Sequence, residues 1–283
     1  MKTITRTEEM HEAVLEEKSH GRSVGFVPTM GFLHEGHLSL VRESVRRADV
    51  TVVSIYVNPT QFGPKEDFKQ YPRDIHRDTE LLKAEGVDYL FLPDNKEIYP
   101  EGYKTYVEVH DLQDKLCGRS RPGHFRGVCT VALKLFNTVN PDMAFFGQKD
   151  AQQTIILKRM VQDLNLGVKI EVVPIVREED GLALSSRNTY LNQKERSTAL
   201  VLSASLEEAR MMVKNGERDS GQIVDRMKEM IGREPLAKID YVEIVDMENL
   251  DPVQKIENEA MAALAVFVGE VRLIDNTILQ VKE

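Results

Sequence analysis

The chain has 283 residues, 41% hydrophobic and 29% charged, a balance that suits one large globular domain or a large domain with a smaller companion and lies far from disorder. Its formal net charge of -9, from 37 Lys plus Arg against 46 Asp plus Glu, disfavours a nucleic-acid backbone as main partner, so any anion must be met by donors gathered locally. Cys117 and Cys129 are too few for a disulfide framework and lack zinc-site spacing, and no apolar run matches a secretory leader or a membrane span, so the expected location is the cytoplasm.

In chain order, a polar-faced helix over Thr7 to Ser19 precedes a short apolar strand, Ser23 to Val27, which Pro28-Thr29-Met30-Gly31 should break. From His37 the spacing of Leu38, Leu40, Val41 and Val45 is helical, and Val50 to Val57 is the β-branched run of a strand covered on both faces. The alternation continues with a helix near Asp74 to Glu85, a strand at Tyr89 to Leu92, a helix from Val128 to Val139 and a strand at Met143 to Phe146. A helix from Ala151 to Leu164 and a strand at Lys169 to Val173 follow. This order predicts an α/β fold, a parallel sheet wrapped by helices with ligands beyond the carboxyl ends of its strands. Past Arg177 the texture changes to helices near Gln193 to Lys214 and Asp219 to Ile231, then strands at Ile239 to Val245 and Ala262 to Val268, a smaller α+β unit. The expected domains are therefore 1–176 and 177–283. Gly63 to Asp67 reads as a surface loop or a mobile flap.

Four clusters carry chemistry. His34-Glu35-Gly36-His37 falls at a strand-to-helix turn, where free N–H groups and the helix dipole favour a phosphate and Gly31 and Gly36 permit close approach. Two imidazoles three residues apart add donors; a solvated pair is the plain alternative, and the zinc motif HExxH needs four-residue spacing. Phe146-Gly147-Gln148-Lys149-Asp150 repeats the strand-to-helix position with a cation, or is a capped helix start. Leu184-Ser185-Ser186-Arg187-Asn188, at the domain boundary, offers two hydroxyls and a guanidinium, or is a surface turn. Asn58, Gln61, Gln152 and Gln153 are amides at strand ends suited to a small polar acid, and 117–126 is a basic, Gly-containing loop.

Together, Pro28 to His37, Val57-Asn58-Pro59-Thr60-Gln61-Phe62-Gly63, Phe145 to Asp150 with Gln153, and Asp180 to Asn188 resemble the pantothenate synthetase (pantoate:beta-alanine ligase) family of HxGH nucleotidyltransferases. The resemblance covers nearly the whole chain, and Phe32 and Gln148 stand where that family more often has a small residue and Glu. It implies a Rossmann-like, doubly wound ATP- and pantoate-binding domain, a small C-terminal lid domain and a homodimer. It also implies that ATP, Mg2+ and (R)-pantoate give a pantoyl adenylate and pyrophosphate, beta-alanine then displacing AMP. Carried over, Met30, Gly31, Phe32, Leu33, His34, Glu35, Gly36 and His37 hold ATP, with His34 and His37 on its phosphates and His37 a proton donor. Gly147, Gln148, Lys149, Asp150, Val176 and Leu184 complete the nucleotide set, and Ser185, Ser186 and Arg187 resemble a KMSKS loop. Gln61 and Gln153, helped by Asn58, hold pantoate. Asp78 is the candidate carboxylate for Mg2+, which rests mainly on phosphate oxygens, with Asp74 as a near alternative.

Overall fold

The computed structural model describes residues 1–64 and 66–281, so Lys65 of the loop expected at 63–67 lies outside the described residues. β1 (Lys2–Ile4) leads through α1 (Thr7–Ser19) to β2 (Val24–Thr29), α2 (Glu35–Arg47) and β3 (Val50–Ile55). A 3-10 turn at Pro59–Gln61 precedes α3 (Ile75–Ala84), β4 (Tyr89–Phe91) and the short α4 (Asn95–Ile98) and α5 (Cys117–Ser120). Then come α6 (His124–Val139), β5 (Met143–Gly147), a 3-10 turn at Gln148–Asp150, α7 (Ala151–Asp163) and β6 (Lys169–Val173). Among the described residues these strands make a parallel six-stranded sheet ordered β1-β4-β3-β2-β5-β6.

β3 is buried at every position, which is why its sequence is a continuous apolar run rather than an alternating one. α2 lies across β2, β3, β5 and β6 and buries Leu38, Leu40 and Val41, while α1 and α6 pack on each other and on β2. The chain grows from β2 to β3 and β4 on one side, then crosses to β5 and β6 on the other. The β2/β5 boundary is therefore the switch point where ligands of such sheets gather.

Two expectations are corrected here. β2 does not break at Pro28 but runs through it to Thr29. β5 pairs with β2 only at Gly25 and Phe26, so a proline beyond them deprives no second neighbour of a hydrogen bond. The basic loop at 117–126 contains α5 and the start of α6: Gly123, at φ 81, is a left-handed residue directly before His124, a helix boundary rather than a loop signal.

A second unit holds α8 (Gln193–Lys214), α9 (Ser220–Gly232) and an antiparallel sheet of β7 (Ala237–Val245), β8 (Glu259–Val268) and β9 (Val271–Gln280). Leu202, Leu206, Ile223, Met227, Val242, Ile244, Leu264 and Val266 make much of its core. The first unit comprises Met1–Asp114, Arg121–Gln148 and Gln153–Pro174; the second takes Lys115–Ser120, Lys149–Gln152 and the chain from Ile175. The division is thus not a single cut at 176. Lys115 bonds Asp251 at 2.6 Å, Cys117 Sγ lies 3.2 Å from the Tyr241 hydroxyl, Ser120 donates to Asp240 at 2.7 Å and Arg119 pairs with Glu243, fixing α5 in the second unit. No described helix is long and apolar enough to cross a membrane.

Candidate active site

The segment leaving β2 at the switch point carries the two histidines. His34 is the N-cap of α2: its Nδ1 accepts from the Gly36 N–H at 3.2 Å, and the His37 Nδ1 accepts from the His34 N–H at 3.3 Å. A ring nitrogen that accepts carries no proton, so both neutral rings keep their hydrogen on Nε2 as a donor. The rings lie 4.1 Å apart at 38°. Two imidazole N–H donors are thus held at the positive end of one helix dipole.

The turn behind them is left-handed at Gly31, φ 82, and at Phe32, φ 50. At Gly31 a Cβ would come within 2.9 Å of Ile55 Cγ2 and 3.1 Å of Asp78 Oδ2, so nothing larger fits. Thr29 Oγ1 accepts from the Gly31 N–H, and Leu33 is buried in a cluster with Val27, Ile55 and Leu82. Asp78 is fully buried on α3, Oδ2 accepting from the Phe32 N–H at 2.7 Å and Oδ1 from the Leu33 N–H at 2.8 Å. Burial lifts its carboxyl above the usual carboxylate range against the pull of those two N–H groups. Both oxygens of Asp78 are thus engaged in holding the turn. Asp74 is equally committed, as the N-cap of α3 accepting from the Arg77 N–H. Glu35 is exposed and pairs with Arg42.

After β3, Asn58 is buried at 1% exposure. Its Oδ1 accepts from Thr60 and from the Tyr99 hydroxyl, and its Nδ2 donates to Gln61 Oε1 at 3.1 Å and to the Gly127 carbonyl at 3.1 Å. Asn58 thereby orients Gln61. The Gln61 Nε2 reaches Met30 Sδ at 3.0 Å, which joins the expected pantoate amide to the expected ATP turn. The carbonyl of Gln61 accepts from His124 Nδ1 at 2.7 Å and from Arg121, and Arg121 also pairs with Glu66 at 2.6 Å. Arg121 and His124, from the basic segment 117–126, thus support the Gln61 backbone.

In the second unit, Lys149 is half-buried and Asp150 is exposed; Gln148, the last residue of its segment in the first unit, is half-buried. The Lys149 carbonyl accepts from Asn276 Nδ2 at 3.0 Å. Asn276 is buried on β9 beside Asp275, which takes Arg177 in a bidentate pair at 2.6 and 2.9 Å. Arg177 and Ala183 form a bridge, and the Leu184 N–H donates to the Val176 carbonyl at 3.0 Å, closing a tight hairpin that delivers Ser185 to Arg187. Ser185 caps the 3-10 turn Ser186–Tyr190 by accepting from the Arg187 N–H, and that turn rests on β9. Gln152 is buried and tied to Lys115 and Cys117, whereas Gln153 is half-buried in the first turn of α7, in the first unit. Gly147 ends β5, paired with Val173.

Arg177, Asp275 and Asn276 carried no motif. The readable signal was two adjacent polar residues, Asp275 and Asn276, inside the apolar strand pattern of 271–280, since buried polar side chains need a partner.

The model of the family described as pantoate-beta-alanine ligase matches residues 2–278. The chain belongs to the pantoate-beta-alanine ligase family. A pantothenate synthetase from Thermosipho africanus is 57% identical over 279 residues, 99% of this chain and 100% of the relative. The crystal structure of pantothenate synthetase from Thermus thermophilus superposes with a TM-score of 0.94 at 44% identity, covering 100% of both chains. A pantoate-beta-alanine ligase from Francisella tularensis, complexed with beta-gamma ATP and beta-alanine, has a TM-score of 0.80 at 34% identity, covering 98% of this chain and 97% of that one. The fold expected from the alternation of elements, a Rossmann-like parallel sheet with a smaller α+β unit, is the fold of these enzymes.

Proposed function

We propose that this chain joins (R)-pantoate to beta-alanine in two steps at the expense of ATP. In the first, a pantoate carboxylate oxygen attacks the α-phosphorus of ATP, the bond to the bridging oxygen breaks and pyrophosphate leaves. In the second, the amine of beta-alanine attacks the acyl carbon of the pantoyl adenylate, loses a proton and expels AMP. The reciprocal capping of His34 and His37 carries this reading. In this reading the Nε2–H groups and the N-terminus of α2 meet the phosphates, and the Gln61–Met30 contact links the pantoate amide to the same turn.

Each residue has a task that needs no covalent enzyme intermediate. His34 and His37 donate to phosphate oxygens, His37 following the charge as it moves to the leaving pyrophosphate. Gln61 and Gln153 hold the hydroxyl and carboxylate groups of pantoate. Lys149, Ser185, Ser186 and Arg187 are the further donors and cations proposed for the phosphates. Among the described residues no group of three or more His, Cys, Asp or Glu is arranged to hold a metal ion. Mg2+ would accompany ATP and would supply neutralisation of its phosphate charge, while the residues named above position the reactants.

The test is isotope exchange. Labelled pyrophosphate should enter ATP only when pantoate is present and without beta-alanine, and adding beta-alanine should release AMP and pantothenate in equal amounts. Formation of ADP, or exchange independent of pantoate, would overturn the proposal. His37→Ala and Lys149→Ala should each slow exchange by about a hundredfold or more, the scale of one lost transition-state contact; a variant exchanging at the wild-type rate removes that residue from the mechanism.

A further inference from the structure

We infer that Asp78 is a positioning residue for the adenylate-forming step, its carboxylate holding the left-handed turn at Phe32 and Leu33 that delivers His34 and His37. The inference rests on the phosphate-binding role proposed for that turn. Two adjacent backbone N–H groups point at one carboxylate, 2.7 and 2.8 Å from its separate oxygens. Phe32 sits at φ 50, a conformation that side-chain-bearing residues avoid, so the turn needs an external hold.

The surroundings leave no other task for this group. Asp78 is fully buried, so it offers no oxygen to substrate or water. It is a carboxylate placed behind a site proposed for polyanions, where its charge alone is unfavourable; what it supplies is geometry. The hold is reinforced from the same helix. Arg77 lies over the Phe32 ring at 5.4 Å, its Nη1 3.6 Å from Asp78 Oδ1, and Leu82 packs in the same apolar cluster as Leu33. Backbone, ring and side chain of the turn are thus gripped by three residues of α3, an element that the motif sequence itself does not include.

Asp78→Asn tests this with little change of volume. Its amide accepts one N–H and sets its own NH2 against the other. Exchange at sub-saturating ATP should fall at least tenfold and the KM for ATP should rise, while the KM for beta-alanine stays within twofold. The decisive readout is a cycle with Phe32→Gly. Glycine adopts positive φ without support, so the loss caused by Asp78→Asn should shrink at least threefold in that background. An equal loss in both backgrounds, or an unchanged KM for ATP, would overturn the inference. If Asp78→Asn does not fold, Asp78→Glu carries the same cycle, since it keeps the charge and displaces both oxygens; its coupling to Phe32→Gly reads the same way. Wild-type protein without pantoate-dependent exchange would instead sink the ligase reading, which keeps the two failures distinct.

Discussion

Gly127 offers a perturbation whose sign is decided by two opposed effects. It lies in the first turns of α6, and its carbonyl accepts from Asn58. Replacing an interior helical glycine by alanine ordinarily stabilises a helix by ~1 kcal/mol. Here the new Cβ would meet the Thr60 carbonyl carbon at 2.6 Å and the Gln61 nitrogen at 2.7 Å, both backbone atoms that no rotamer change can move. Restoring an ordinary separation of ~3.5 Å requires the turn Pro59–Gln61 to shift by roughly 1 Å, and such overpacking costs about 1–3 kcal/mol. Collision offsets the helix gain and leaves a net destabilisation of up to about 2 kcal/mol. The function should suffer more, because a displacement of ~1 Å in a positioning residue can cost about a hundredfold in rate. We expect Gly127→Ala to lower the urea midpoint and raise the KM for pantoate at least tenfold. Gly232→Ala is the control: no atom lies within 4 Å of its Cβ position, so it should be neutral or mildly stabilising. A Gly127→Ala protein as stable as wild type with an unaltered KM for pantoate would refute the close approach of α6 to Gln61.

Arg177→Met should destabilise the second unit by ~3 kcal/mol, the low end for breaking a buried pair, because Arg177 is 30% exposed while Asp275 is 2% exposed. It should also slow pyrophosphate exchange through the hairpin that carries Ser185 to Arg187, and recovery of stability in Arg177→Met/Asp275→Asn would mark the unpaired carboxylate as the cause. Glu66 is pushed up by burial but drawn further down by the Arg121 hydrogen bond and charge, to a net value below the usual range. Its contribution is therefore present above ~4.3 and lost as pH falls through the lower folded value. Glu66→Gln should flatten the acid limb of the pH–stability curve; an unchanged limb would show that the Glu66–Arg121 pair contributes nothing.

The groups proposed to touch substrate were legible because each combines a backbone requirement with a reactive side chain within a few residues. Gly31, Gly36 and the histidines announce an anion turn; Gly147 and Lys149 do so again. The main elements were legible from periodicity, and α8 (Gln193–Lys214) and β6 (Lys169–Val173) fall at the expected bounds. β1 has only three residues, too few for a period, and β9 hides behind its buried polar residues Asp275, Asn276 and Thr277. Support was the illegible part. His124 serves Gln61 across 63 positions of sequence, and Asn276 serves Lys149 across 127. A support residue has no local signature, because what it satisfies is a backbone group made available by another element.

Asp78 shows what such support costs and why its effects on stability and turnover should differ in size. Burial raises its carboxyl pKa, outweighing the two N–H groups that favour the charge. A raised folded value means that the linked stability is present below the unfolded value of ~3.9 and is lost as pH rises through the folded one. At neutral pH the fold therefore carries this carboxylate at a net disadvantage. Asn removes that charge but leaves one of the two N–H groups without its acceptor, so the two effects oppose each other and Asp78→Asn should change thermal stability near pH 7 little while exchange falls. The dependence of stability on pH between the two carboxyl values should disappear with it. A residue retained only for the fold would behave oppositely, lowering stability when replaced and leaving the KM for ATP alone. A strained turn held by a buried charge is thus a place where stability is given up for the placement of His34 and His37.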